Sequence, residues 1–296
     1  MRLVEHWREE QNARMYDGFA RRFPMYRLTS TDLVRCAVLQ PDSEVLDLAC
    51  GTGVTTEAIL AELGPTGHVT AVDASAAMLQ IAAERVQDPR VTWLEAPAEH
   101  VATAVNAGFS HVVCNSAIWQ MQVPEVAAAI SALLAPNGRF ACSVGTNRQP
   151  DGSPAPPPRK PSLHDLMRAY AVIDHDFISQ PSSRARRLMD DDGIRAQLAL
   201  GGLNVVRTEY LEYAFDPDQT YAWSQVPIFT AHFSGLSYEQ RMAALDKAWA
   251  KLDPHAQPPS RWAILVAIQG TDSGASQIPG GVLEPREHHD GKRLLD

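Results

Sequence analysis

The sequence predicts an α/β protein: a mostly parallel, seven-stranded sheet with helices on both faces and a helical cap or lid inserted above it. Three observations lead there. Between residues 45 and 144 short apolar runs alternate with longer helical patterns, as βαβ units require. The apolar runs are nearly continuous, which suits strands covered on both faces. A Gly-rich turn follows the first of them directly and opens a helix.

In chain order, residues 4–22 read as an amphipathic helix bearing Trp7, Tyr16 and Phe19, and 31–39 as a helix feeding the first strand. The strands of the alternating region are 45–48, 68–72, 91–94, 109–114 and 139–144, each bounded by Gly, Pro, Asp or Asn. Three helices separate them. The first, 54–63, stops at Gly64-Pro65. The second opens at Ser75, a good N-cap, with Met78, Leu79, Ala82 and Val86 on one apolar stripe. The third starts at Pro124 and ends before Pro136, with Val126, Ile130, Leu133 and Leu134 turned to the sheet.

Residues 148–162 hold six prolines, too many for a helix or a central strand, and read as a linker or lid loop. Strand character returns at 203–215, 219–252 is helical and aromatic-rich, and 261–268 is a last strand. The expected organisation is a helical lid arm (1–30), a core (31–146, 202–215 and 261–269), a Pro-rich loop and helical insertion (147–201), a helical cap (216–260) and a flexible tail (270–296).

With 45% hydrophobic and 21% charged residues, the 296-residue chain can bury a core and is not a disordered type. Twenty-six Lys and Arg against 35 Asp and Glu give a net charge of −9, which argues against nucleic acid as a partner. Cys36, Cys50, Cys114 and Cys142 form no CxxC pair, so a reduced, cytoplasmic setting is expected. No run approaches the ~18 apolar residues of a membrane span, so no membrane partner is expected. His288-His289 has no third ligand at a suitable spacing, and Arg184, Arg186 and Arg187 read as a solvated helix face, so no metal site is predicted.

The chemistry lies in residues 45–53, where an apolar strand with Asp47 near its end runs into a turn of small residues. Glycines there let a ligand lie against backbone N–H groups at a helix N-terminus. Twenty residues after Gly53, Asp73 at the tip of the next strand can take both hydroxyls of a ribose. Thr56 stands where a dinucleotide fingerprint has its third Gly, which weakens NAD and FAD, and no Gly-Lys-Ser or Gly-Lys-Thr follows to make a phosphate loop.

The string DLACGTG at 47–53, the Val72-Asp73-Ala74-Ser75 tip with Met78-Leu79, and the Pro136-Asn137-Gly138-Arg139 turn resemble the class I S-adenosylmethionine-dependent methyltransferases of small-molecule type, over residues 10–145. The resemblance implies a Rossmann-like fold and S-adenosylmethionine as cofactor. It implies that Asp47, Ala49, Cys50, Gly51 and Gly53 cradle the methionine moiety. Asp73 would meet the ribose, Met78 the adenine, and Asn115 the region of the sulfonium, with Ala74 a further cofactor contact. Pro97 occupies the position of the family's acidic adenine-binding residue, so Ala98 and Glu99 would serve in its place, and Ala49 stands for the family's usual first Gly. Tyr16 and Tyr26 resemble the lid tyrosines of such enzymes.

For the transfer itself Tyr16, Asn115 and His232 are the expected catalytic residues, with His232, Glu99 or Tyr16 available as a base if the acceptor must lose a proton. Trp119, Gln120, Tyr221, Trp223 and Phe229 are expected to contact a small, aromatic or apolar acceptor. Two other readings keep the same cradle: a rearrangement or cyclisation aided by the bound cofactor, and a nucleotide-sensing module without turnover. An NAD-dependent oxidoreductase is more distant. A homodimer through the cap or the arm is the expected form of any self-association.

Overall fold

In the computed structural model the described residues are 7–158, 160–178, 190–214, 216–253 and 258–270. Seven strands form one sheet: β1 (Glu44–Leu48), β2 (His68–Asp73), β3 (Val91–Glu95), β4 (Phe109–Cys114), β5 (Leu134–Gly145), β6 (Leu203–Tyr213) and β7 (Ser260–Gln269). Their order is β3-β2-β1-β4-β5-β7-β6, parallel except for β7, which runs antiparallel to both neighbours. The chain leaves β1 for β2 and β3 on one side, then returns to β4 on the other. That reversal opens a crevice at the carboxyl ends of β1 and β4, where open α/β sheets bind ligands.

The helices are α1 (Glu10–Arg22), α2 (Met25–Ala37), α3 (Val54–Glu62), α4 (Ala76–Arg85), α5 (Val101–Ala104), α6 (Val123–Leu133), α7 (Leu163–His175), α8 (Asp191–Leu200), α9 (Pro217–Gln225) and α10 (Tyr238–Lys251). Successive residues of β1 point to opposite faces, so Val45 packs with Leu33 and Ile59 of α2 and α3 while Leu46 packs with Ile130 and Leu198 of α6 and α8. Each face thus has its own apolar layer. The approach of α8 to α6 is so close that a Cβ at Gly201 would overlap the Ala127 Cβ. A third layer joins the arm to the cap through Phe19, Tyr26, Val226 and Ile228, and a fourth packs α7 on α10 through Met167, Phe233 and Leu245. Arg85, largely buried on α4, holds α1 through a 2.6 Å pair with Asp17.

The predicted strands all form, with ends shifted by one residue or less except in β5 and at the far end of 203–215, where β6 stops at Tyr213. β5 starts at Leu134 and contains the Pro136-Asn137-Gly138 turn as a bulge against Phe109 and His111, with Asn137 at φ 66°. Ser75 caps α4 by accepting from Met78 N–H, and Met78, Leu79, Ala82 and Val86 are buried. The helix expected at 31–39 begins earlier, at Met25, because Pro24 can stand at its N-terminus. The stretch 219–252 is α9, a 3-10 turn at Pro227–Thr230 and α10, interrupted by Pro227 and by Gly235 at φ 90°. Residues 4–6 of the predicted arm helix, Phe215, the Arg184 to Arg187 run and the tail from 271, with His288-His289, lie outside the described residues.

Candidate active site

The turn after β1 is built around Asp73. Its Oδ2 accepts from Gly51 N–H and its Oδ1 from Ser75 N–H, both at 2.9 Å, while Cys50 N–H bonds the Val72 carbonyl at 3.0 Å. One carboxylate therefore clamps the β1 turn to the tip of β2. Gly53, at φ 85°, sits where a Cβ would press to 3.3 Å on Ala82 Cβ. Ala49 adopts φ 58°, a left-handed conformation a glycine would hold without the ~1 kcal/mol cost to an L-residue.

Asp47 lies behind this turn. Thr56 Oγ1 donates to its Oδ2 at 2.7 Å, whereas Oδ1 has no protein partner, and burial pushes the carboxyl up to about 7. The Thr56 that displaces the dinucleotide glycine therefore has a structural task. Burial, then the neighbouring Asp73 and Asp47, raise the Cys50 thiol and leave it inert. Asp47, Cys50 and Gly53 shape the loop but are not among the residues that line the cavity in front of it.

That cavity, about 380 Å³, lies over the carboxyl ends of the strands, between the arm and the cap. At one end its wall is Ala49, Gly51, Asp73, Ala74, Met78 and Ala98, an apolar slot beside one carboxylate. Burial raises the Asp73 carboxyl, opposed by the Gly51, Ser75 and Ala74 N–H groups. Glu99 also lines the cavity and accepts from Gln122 N–H at 3.3 Å.

The arm closes the cavity from above. Tyr16 rests on the glycine turn, where a Cβ at Gly51 would lie 3.9 Å from its Cε1, and packs on Tyr26 with ring centroids 5.0 Å apart. Burial raises the Tyr26 hydroxyl to about 12. Burial, then Tyr26 and Asp73, raise Tyr16 still further above its ordinary value. Both phenols stay protonated near neutral pH.

Asn115 lines the cavity with its amide fully engaged. Its Nδ2 donates to Ser30 Oγ at 2.9 Å and Thr29 Oγ1 at 3.3 Å, and its Oδ1 accepts from Ser143 and Ser116 hydroxyls. It fixes the end of β4 against α2. Trp119 and Gln120 also line the cavity; Trp119 Nε1 donates to the Ser116 carbonyl at 2.9 Å, and Gln120 Oε1 accepts from Trp7 Nε1 at 2.8 Å.

Trp223 and Phe229 stack at 3.8 Å with their rings nearly parallel, and Trp223 Nε1 reaches the Tyr26 hydroxyl at 3.4 Å. Two expected residues lie elsewhere. Tyr221 turns to Asp246, 2.5 Å from its hydroxyl, and to Trp249, because it sits on the other side of α9 from the cavity. His232 packs against Phe233 and, ring centroids 5.8 Å apart, against His164; it is His164 that lines the cavity. Sequence reasoning missed Trp7, His164, Gln219 and Trp262. Gln219 was within reach of it, being four residues before Trp223 and so on the same face of a helix. Among the described residues no cluster of His, Cys, Asp and Glu is arranged to hold a metal ion, and no helix is long and apolar enough to cross a membrane.

Residues 45–138 match the family model described as a methyltransferase domain. Trans-aconitate 2-methyltransferase of Paracidovorax citrulli is 36% identical over 125 residues, 40% of this chain and 45% of that protein. The chain thus spans less than half the length of the curated relatives it matches. A methyltransferase of Geobacter sulfurreducens in complex with S-adenosylhomocysteine shares the fold with TM-score 0.51 and 16% identity, over 82% of this chain and 90% of that one. The [4+2]-cyclase SpnF does so with TM-score 0.50 and 18% identity, over 81% and 80%.

The glycine turn clamped by Asp73, at the switch point of a seven-stranded sheet, lies within the stretch that matches the methyltransferase-domain model. Residues 45–138 thus resemble the class I S-adenosylmethionine-dependent methyltransferases. The residues present fit that family's cofactor: Asp73 keeps lone pairs beyond its backbone bonds at the cavity wall, Gly51 presents no side chain there, and Met78 and Ala98 offer an apolar surface.

Proposed function

We propose that this protein transfers a methyl group from S-adenosylmethionine to an O, N or C atom of a small, uncharged, ring-bearing or apolar acceptor. The observation that carries this reading is the wall of the cavity away from Asp73. It is framed by Trp119, the Trp223–Phe229 stack and Trp262, and among the described residues no Lys or Arg lines it. Trans-aconitate, in the name of one relative, carries carboxylates, and such a ligand would meet Asp73 and Glu99 here without a fixed counter-charge. Flat aromatic walls suit a planar apolar body.

Bound S-adenosylmethionine would supply an electrophilic methyl group. Asp73 would hold its ribose, the 49–51 turn its amino-acid part, and Met78 with Ala98 its adenine. Tyr16, Tyr26 and Trp7 exclude water above the reacting centre, which strengthens the orienting hydrogen bonds beneath them. Asn115 acts as a positioning residue, since its amide is spent on Ser30, Thr29 and Ser143. The chain's contribution is to align the acceptor on the methyl axis, and such alignment can supply most of the rate of a displacement. The α7 and α9–α10 segments serve as the acceptor cap.

Calorimetric titration with S-adenosylhomocysteine, with NAD in parallel, tests the cofactor. Micromolar binding of the former alone is expected. Binding of NAD alone, or of neither, overturns the reading. Product masses from a screen of aromatic acceptors then separate methyl addition from rearrangement, whose product mass is unchanged.

A further inference from the structure

Among the groups on the wall of the cavity, one side-chain oxygen has no partner within the protein. Gln219, 3% exposed on the first turn of α9, lines the cavity, and its Oε1 finds no hydrogen-bond partner. A buried carbonyl left unpaired costs ~1–3 kcal/mol, and native proteins rarely keep one without a use. Its surroundings point to that use. One turn on, Trp223 stands on the same face of α9 and carries two neighbours, Phe229 stacked at 3.8 Å and His164 of α7 edge-on at 5.9 Å. Phe229 in turn meets Trp7 and Tyr16, the roof over the glycine turn. Ring contacts therefore run from the roof over the glycine turn through Phe229 to Trp223, on the helix face that also carries Gln219.

We propose that Gln219 is the specificity-determining residue of the acceptor site, its Oε1 accepting a hydrogen bond from a hydroxyl or N–H group carried by an aromatic acceptor whose ring lies along Trp223. The proposal rests on the reading of this cavity as an acceptor site. Discrimination follows from the unpaired oxygen: a ligand with a donor satisfies it, and an isosteric ligand without one leaves it buried and unpaired, the situation in which binding sites reject most strongly.

The test uses 2-naphthol and 2-methylnaphthalene, which share a shape and differ by a hydroxyl for a methyl. Each is titrated into the full chain with and without saturating S-adenosylhomocysteine. We expect 2-naphthol to bind at least tenfold more tightly than 2-methylnaphthalene. The near-isosteric Gln219→Met should reduce that ratio to within about twofold, and Gln219→Glu, which keeps an oxygen in place, should retain most of it. S-adenosylhomocysteine affinity should be the same in both variants as in the parent, which also reports that they fold. Equal affinity for the two naphthalenes, binding of neither, or a ratio that survives in Gln219→Met overturns the proposal. Failure of S-adenosylhomocysteine to bind the parent chain would instead count against the methyltransferase reading, since the naphthalene ratio is measured without it as well.

Discussion

Trp7 Nε1 donates a 2.8 Å hydrogen bond to Gln120 Oε1, tying the start of the arm to the loop after β4 across 113 residues of sequence. The Trp7 carbonyl also accepts from Ser75 Oγ at 2.8 Å, so the same residue is fastened to the tip of β2. Since both partners line the cavity, these two bonds close it. Trp7→Phe keeps an aromatic ring against Tyr16 and Phe229 and removes the indole donor. One neutral hydrogen bond is worth ~1 kcal/mol, so S-adenosylhomocysteine should dissociate ~5-fold faster with little change in its association rate. A stopped-flow chase measures this, and an unchanged dissociation rate would show that the arm does not gate release.

Asp73 clamps Gly51 and Ser75 and also faces the cavity. Asp73→Asn preserves shape, but it removes the charge from any ribose contact and turns an N–H₂ toward one of the two backbone donors. Removing a charge-assisted hydrogen bond costs ~1.5–3 kcal/mol, so S-adenosylhomocysteine affinity should fall ~10-fold to 150-fold by calorimetry. Affinity within twofold of the parent would mean that the ribose lies elsewhere.

The glycine turn and its clamp were legible in the sequence because their signals are local. A strand, a small-residue turn and an N-cap at Ser75 each follow from a few neighbouring residues, and Asp73 lies one βαβ unit from the turn it clamps. The rest of the cavity is assembled from distant segments. His164 and Gln219 stand on α7 and α9, elements separated along the chain by α8 and β6, and nothing local to either announces the other. His232 drew attention through its aromatic neighbours, yet the turn after Thr230 directs it to Phe233 and leaves His164 at the wall. Tyr221 and Trp223 were read together, although two residues on a helix diverge by about 200°, and only Trp223 reaches the cavity.

The buried tyrosines make a statement about pH. With Tyr26 pushed up to about 12 and Tyr16 raised well beyond its ordinary value, neither phenol loses its proton in the working range. Tyr16→Phe should therefore lower kcat/KM, through removal of the donor over the glycine turn, without altering the form of its pH profile between pH 6 and 9. Loss of an alkaline or acidic limb in the variant would show that Tyr16 titrates during turnover.

Asp47 makes the opposite kind of statement, about stability. Burial raises its carboxyl from 3.8 to about 7, so between those values the folded chain holds a proton that the unfolded chain releases. The stability linked to this proton is full below about pH 4 and is lost as the pH rises through about 7. Asp47→Asn keeps an oxygen for Thr56 and stays neutral at every pH. Any cost of its extra N–H₂ group is the same at all pH values and cannot produce a slope. Other titrating groups, such as His111, act equally in both proteins and cancel in the difference. One pKa unit is 1.36 kcal/mol, so the Tm of Asp47→Asn relative to the parent should rise by on the order of 5 °C or more between pH 4.5 and pH 8. A constant offset, or an advantage that grows toward acid, would show that Asp47 is ionised in the folded protein and that a partner for its second oxygen holds it so.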